Sequence, residues 1–151
     1  MQVAERKETT GNEAEIRAII EDWGEGLKNR DAERCISHYA DDVLQFNLAP
    51  PLEYRGKNVV AKQLTDWLNT FSGPIDFETT DLKIAAGSDT AFAHCFNHIK
   101  GTGTNGQQSD IWVRVTIGFQ RRDGKWLVTH EHISVPFYMD GSFRAAVDLK
   151  P

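Results

Sequence analysis

The sequence predicts an α+β fold, helices first and a long antiparallel meander second, on three observations. Three helical stretches precede Pro74, no helical period follows it, and turn signals cut the remainder into strand-length runs. The helices should cover one face of a curved sheet. With 151 residues the chain is the size of one domain and buries about two-thirds of its unfolded surface, so neither disulfides nor a structural metal is needed.

Residues 1–11 are polar and read as a flexible leader to a single domain over 12–151. From Asn12 onward Ile16, Ile19, Ile20, Trp23 and Leu27 recur at helical spacing, and Asn12 with Glu15 has the pattern of an N-cap and its acidic partner. Asp31 caps a short second helix with Ala32, Cys35, Ile36 and Tyr39 on its buried stripe. Ala40-Asp41-Asp42 breaks that helix and residues 43–47 extend. Pro50 and Pro51 then forbid a regular ladder, since neither can donate a hydrogen bond. A third helix follows Gly56, with Val60, Leu64, Trp67, Leu68 and Phe71 on one face, and stops at Ser72-Gly73-Pro74. Strands are predicted over 77–85, 90–100, 110–121 and 126–135, separated by glycine-bearing turns. No helix separates these strands, which disfavours a parallel α/β fold.

A formal charge of −5 and a pI near 5.5 argue against a nucleic-acid or anionic-membrane binder. No apolar run approaches the ~18 residues that span a bilayer, and the N-terminus lacks the apolar region of a signal peptide. Cys35 and Cys95 are isolated thiols without a C-x-x-C spacing, so a cytoplasmic, reducing location is expected. No cofactor is called for: the glycine-rich stretch 101–109 joins two strands rather than a strand and a helix, which makes it a hairpin loop and not a phosphate cradle.

The last hairpin carries the candidate chemistry. A three-residue Arg122-Asp123-Gly124 loop pairs Arg121 with Lys125, Arg114 with His132 and Thr116 with His130. A two-residue Asp-Gly turn would instead set Val115 against His132, which segregates the faces less well, so the first register is preferred. It leaves one mostly apolar face, flawed by Glu131, and one face bearing Trp112, Arg114, Thr116, His130, His132 and Ser134. Such groups must pair, line a wet cavity, or meet solvent or a subunit, because burying one unpaired costs about 1–3 kcal/mol. His130 and His132 point to one side and could chelate an ion. No third ligand is identifiable, so no metal is expected.

Tyr39-Ala-Asp-Asp42, Tyr54-Arg-Gly56 before a helix, Asp123-Gly-Lys-Trp126 and His130-Glu-His-Ile-Ser-Val-Pro136, in this order and spacing, resemble the nuclear transport factor 2-like superfamily in its SnoaL-like, ketosteroid-isomerase-related branch. The resemblance runs from about Asn12 to the C-terminus. It implies a cone-shaped barrel in which the sheet wraps the first helix and leaves a pocket at the open end, and homodimers through the sheet. It places Asn47 where the isomerases keep their carboxylate base, and approximately Trp23 and Thr116 where they keep the oxyanion-hole tyrosine and acid. All three depart from the pattern, so true steroid isomerisation is not implied.

These readings lead to a pocket for a compact organic ligand, with His132 and Arg114 as catalytic candidates and Trp112, Thr116, His130, Ser134, Asn47 and Trp23 as ligand-binding ones. His132 would move a proton and Arg114 would stabilise developing negative charge in a cofactor-independent isomerisation, cyclisation or hydrolysis of a carbonyl compound. The alternative is a non-catalytic dimerisation or association module, with the cone plugged by Trp23, Trp112 and Phe46.

Overall fold

The computed structural model describes residues 2–151. Helix α1 (Gln2–Lys28), α2 (Ala32–Ile36), strand β1 (Tyr39–Phe46), β2 (Tyr54–Arg55), α3 (Lys57–Leu68), β3 (Asp76–Ala86), β4 (Thr90–Thr102), β5 (Gln108–Arg122) and β6 (Lys125–Ser134) follow in chain order. They form the expected α+β architecture: one curved, unclosed sheet in the order β2-β1-β6-β5-β4-β3, with helices on its inner face. Only β1 and β6 run parallel. Among the described residues no helix is long and apolar enough to cross a membrane.

The predicted helical stripe is real. Ile16, Ile20 and Leu27 are buried, in one core with Val60, Leu64, Phe119 and Val128. The helix does not begin at Asn12, however. It continues back to Gln2, so 2–11 is helical too, and the buried Asn12 side chain donates to the Gly87 carbonyl at 2.9 Å. Its amide thus pins α1 to the turn between β3 and β4 instead of capping a helix. Asp31 caps α2 as expected, accepting from the Arg34 amide at 3.0 Å. Close packing of α1 on α2 needs Gly26, because a Cβ there would lie 2.9 Å from Cys35 Sγ. The segment Ala40-Asp41-Asp42 is already strand, since β1 starts at Tyr39.

The preferred hairpin register is corrected. Asp123 and Gly124 both have positive φ, 51° and 76°, which is the two-residue type I′ turn whose twist suits a hairpin, and Arg122 pairs with Lys125. A bulge then leaves Thr129 unpaired: Phe119 faces Val128 while Gly118 faces His130. Arg114 therefore meets Ser134 and Thr116 meets His132. Turn and bulge together move the register by two residues from the preferred one, so the side chains expected on one face still share it.

Candidate functional site

The shared polar face is the outer one. Phe119 and Val128 are buried against the helices and Val113 and Val115 face the interior beside them, so the alternating residues Arg114 and Thr116 on β5 and His132 on β6 stand exposed on the other side of the sheet. Phe46, His132, Thr116, His94 and Lys83 lie in register across five strands of that face. Arg114 Nε donates to Ser134 Oγ at 3.2 Å, Trp112 stacks on His98 with ring centres 4.2 Å apart, and His132 packs edge-on against Phe46. His130 Nδ1 donates to the Leu44 carbonyl at 2.7 Å and its ring packs edge-on against Phe46. None of Trp112, Arg114, Thr116, His130, His132 and Ser134 lines the interior. The expected pocket wall is corrected on this point: the apolar side of the hairpin is the one that covers the helices, and solvating a guanidinium outside is cheaper than burying it unpaired.

Trp23 and Asn47 do reach the interior. They line a cavity of about 340 Å3 bounded by α1, α3 and the inner sheet face, together with Leu27, Leu64, Trp67, Ile99, Val113 and Ile133. Phe46 and Trp112 belong to the outer face, so neither plugs it. No Lys, Arg or His lines this cavity. A smaller void of about 20 Å3 adjoins it, sharing Trp23, Tyr39, Phe77, Asn97 and Val115, and Glu131 forms part of that inner wall.

Glu131 is the residue that sequence reasoning passed over as a flaw in an apolar face. It is 4% exposed, with Oε2 accepting from Tyr39 Oη at 2.7 Å and Gln45 Nε2 at 2.9 Å. Gln45 faces it directly across the parallel β1–β6 pair, which the chain order of the meander does not reveal. Asn47 Nδ2 donates to Gln45 Oε1 at 3.2 Å, and the Leu48 amide donates to Asn47 Oδ1 at 2.7 Å, so the amide polarities are aligned toward the carboxyl. Burial pushes the Glu131 carboxyl above the usual carboxylate range, against the opposing pull of the Tyr39 and Gln45 bonds and of His130. The same burial, with the Glu131 charge beside it, holds the Tyr39 phenol well above its ordinary value. Oε1 takes part in neither bond. A carboxyl with a raised pKa, one free oxygen and an apolar chamber next to it is equipped to take and return a proton.

Both cysteines are free and buried, and burial lifts the Cys95 thiol to about 11, which makes it a poor nucleophile. Among the described residues no three His, Cys, Asp or Glu side chains cluster in a way that could hold a metal ion.

The profile of the SnoaL-like domain matches residues 16–138. Among curated proteins none matches the chain. Among solved structures, an NTF2-like protein of unknown function from Pseudomonas putida KT2440 is 34% identical, with 95% of this chain and 99% of that one covered and a TM-score of 0.86. A candidate dehydratase of the NTF2-like family from Streptomyces avermitilis (19% identity, 83% and 97% covered, TM-score 0.73) shares the fold. So does a candidate scytalone dehydratase from Novosphingobium aromaticivorans (16%, 87% and 89%, TM-score 0.73).

Proposed function

Since this chain belongs to the SnoaL-like family, with its nuclear transport factor 2-like fold, we propose that its interior cavity binds a small, neutral organic carbonyl compound and that Glu131 moves a proton on it without a cofactor. The observation that carries the reading is the buried carboxyl at the inner end of a mostly apolar, cation-free chamber. In the ionised form Glu131 takes a proton from the carbon next to the carbonyl, the C–H pair becomes the C=C bond of an enolate as the C=O pair moves onto oxygen, and when that pair returns the same proton goes to another carbon or leaves with a β-hydroxyl as water. Isomerisation or dehydration results, without change of oxidation state. The dehydratase names carried by two relatives of the same fold agree in class, although at their identities they speak for fold alone. His132 and Arg114 have no part in this step because they stand on the outer face.

Exchange of α-protons for deuterium tests the reading. In D2O the protein should accelerate exchange on cyclic ketones such as 1-tetralone, and Glu131→Gln should remove the acceleration, a loss of about 10²–10⁴ in rate being typical for a general base. Ligand binding with no exchange by either protein would leave a binding protein rather than an enzyme.

A second reading concerns assembly, and the outer face favours it. Phe92 is 52% exposed there beside His94, Trp112 stacks on His98, and Arg114 and His132 project between them. Aromatic side chains and arginine are enriched at interfaces, and we propose that two copies pack through this face as a homodimer in the cytoplasm.

A further inference from the structure

We propose that the inner void is a socket for one uncharged oxygen atom of the ligand, a ketone, aldehyde or alcohol oxygen, held by Asn97 Nδ2 beside Glu131. The inference rests on the cavity being the ligand site and adds what that site recognises.

Asn97 comes from β4, 8% exposed, with its amide orientation set by two neighbours. Thr79 Oγ1 donates to Asn97 Oδ1 at 2.9 Å and Cys95 Sγ at 3.6 Å. With the oxygen side taken, Nδ2 is left with no protein acceptor. The Trp23 indole N–H is sealed off and turned to the Tyr39 hydroxyl, so Trp23 gives the void a wall and not a donor. Both residues, with Glu131, bound the same space of about 20 Å3. That is room for a single oxygen, since a cavity needs about 10–15 Å3 on this measure to hold one water. Leaving a buried donor unpaired costs about twice what a hydrogen bond contributes on balance. An unpaired donor on an oxygen-sized space beside the Glu131 carboxyl therefore marks a place for an acceptor.

The charge of that acceptor follows from what surrounds it. No cation lines either space, while Glu131 does line the inner one. A carboxylate or phosphate would face a neutral donor and a neighbouring acid with nothing to balance it, so the oxygen is uncharged. The hydrocarbon body of the ligand then lies in the larger chamber against Leu27, Leu64, Ile99, Val113 and Ile133. At about 340 Å3 this chamber is at the small end for ligand pockets and suits a one- or two-ring compound. Thr79 is a positioning residue: it touches no ligand, and its hydroxyl keeps the Asn97 amide turned inward.

Three matched probes test the socket on the full-length protein by titration calorimetry: 1-tetralone, tetralin, which lacks the oxygen, and 1-naphthoate, which carries a charged one. Wild-type protein should bind 1-tetralone about two- to tenfold more tightly than tetralin, from one neutral hydrogen bond, and 1-naphthoate most weakly. Asn97→Leu should keep tetralin binding and lose most of the preference for the ketone, and Thr79→Val should lose part of it. A second measurement needs no variant. The infrared carbonyl band of 13C-labelled 1-tetralone should fall below its position in hexane when the ketone is bound to wild-type protein. Equal binding of ketone and hydrocarbon, an Asn97→Leu preference equal to wild type, or a carbonyl band at the hexane position would overturn the socket while leaving the cavity as a ligand site. Failure of both neutral probes to bind, with or without naphthoate binding, would overturn the cavity reading and the socket together.

Discussion

Replacing Glu131 by glutamine removes one titrating proton from the interior and little else, because the amide oxygen can still accept the bonds that Tyr39 and Gln45 now give to Oε2. Burial lifts the carboxyl, so the folded chain keeps a proton that the unfolded chain releases above the ordinary value of 4.5. The sign follows from that difference. Stability associated with the protonated carboxyl is complete below 4.5 and is lost as pH climbs through the raised, folded pKa. One proton of difference between the two states gives a slope of about 1.4 kcal/mol per pH unit inside this window, a large share of the roughly 5–15 kcal/mol that holds a domain together. Exposed carboxylates act in the opposite sense and outside the window. Asp22, beside Arg34 and His38, Asp42, beside Arg122, and Asp110, beside His98, have pKa values lowered from 3.8, so what they contribute is lost as pH falls. Tyr39 stays neutral throughout, and His130 is common to both proteins. Urea unfolding of wild type and Glu131→Gln at half-unit steps from about pH 4.5 to 8 should give a difference that grows in favour of the variant with that slope and then levels off. A difference independent of pH would mean that the carboxyl titrates as an exposed acid does, and the argument for a poised proton would fail with it.

Glu131→Leu should behave quite differently from the glutamine variant, since it orphans the Tyr39 hydroxyl and the Gln45 amide; a loss of about 2–6 kcal/mol is expected in chemical denaturation at pH 5. Gly124→Ala places a side chain at a φ of 76° in the type I′ turn and should cost about 1–2 kcal/mol, read as a Tm lower by roughly 2–8 °C. Arg114→Glu should convert a dimer into a species of 17.0 kDa by light scattering with the affinity for 1-tetralone unchanged, and a dimer that persists would put the interface elsewhere. His132→Ala should alter ketone affinity by less than about twofold, whereas a large loss without unfolding would return this histidine to the ligand site.

The elements that could be read from sequence are those with a local cause. Ile16, Ile20 and Leu27 announce their helix by spacing, Asp31 announces a cap by its side chain, and the glycine-bearing turns delimit the strands. Even the grouping of Arg114, Thr116, His132 and Ser134 was legible, because a register error of two residues preserves the face. What alternation alone does not tell is which face is wet inside and which is wet outside: a polar face can line a cavity or meet a partner with the same pattern. The helices decide it, by covering Phe119 and Val128. Glu131 was visible as an anomaly, a carboxylate in a row of aliphatic residues, and that anomaly was the best signal of the site. Its partners Tyr39 and Gln45 could not be inferred, since they arrive through a parallel pairing between the first and last long strands. Trp23 and Asn47 came through family resemblance and both line the cavity, while Thr116, placed by the same route, lies outside.

That parallel pairing also orders the assembly of the molecule in time. β1 is synthesised with only the two residues of β2 as an early neighbour, and its long partner, β6, lies about 90 residues further on. At a ribosomal rate of about 5–20 residues per second, β1 waits roughly 5–20 s with one edge unsatisfied. A bare strand edge of that duration is an invitation to pair with another nascent chain. Asp41 and Asp42, exposed in the middle of β1, put two like charges where a second copy of the same strand would have to lie, and charge repulsion across such a pair guards the edge until β6 arrives. Only then does Asp42 acquire its Arg122 partner, at 2.7 Å, from the same hairpin that delivers Glu131 to the cavity. The buried carboxyl is thus set in place only when the last strand pairs.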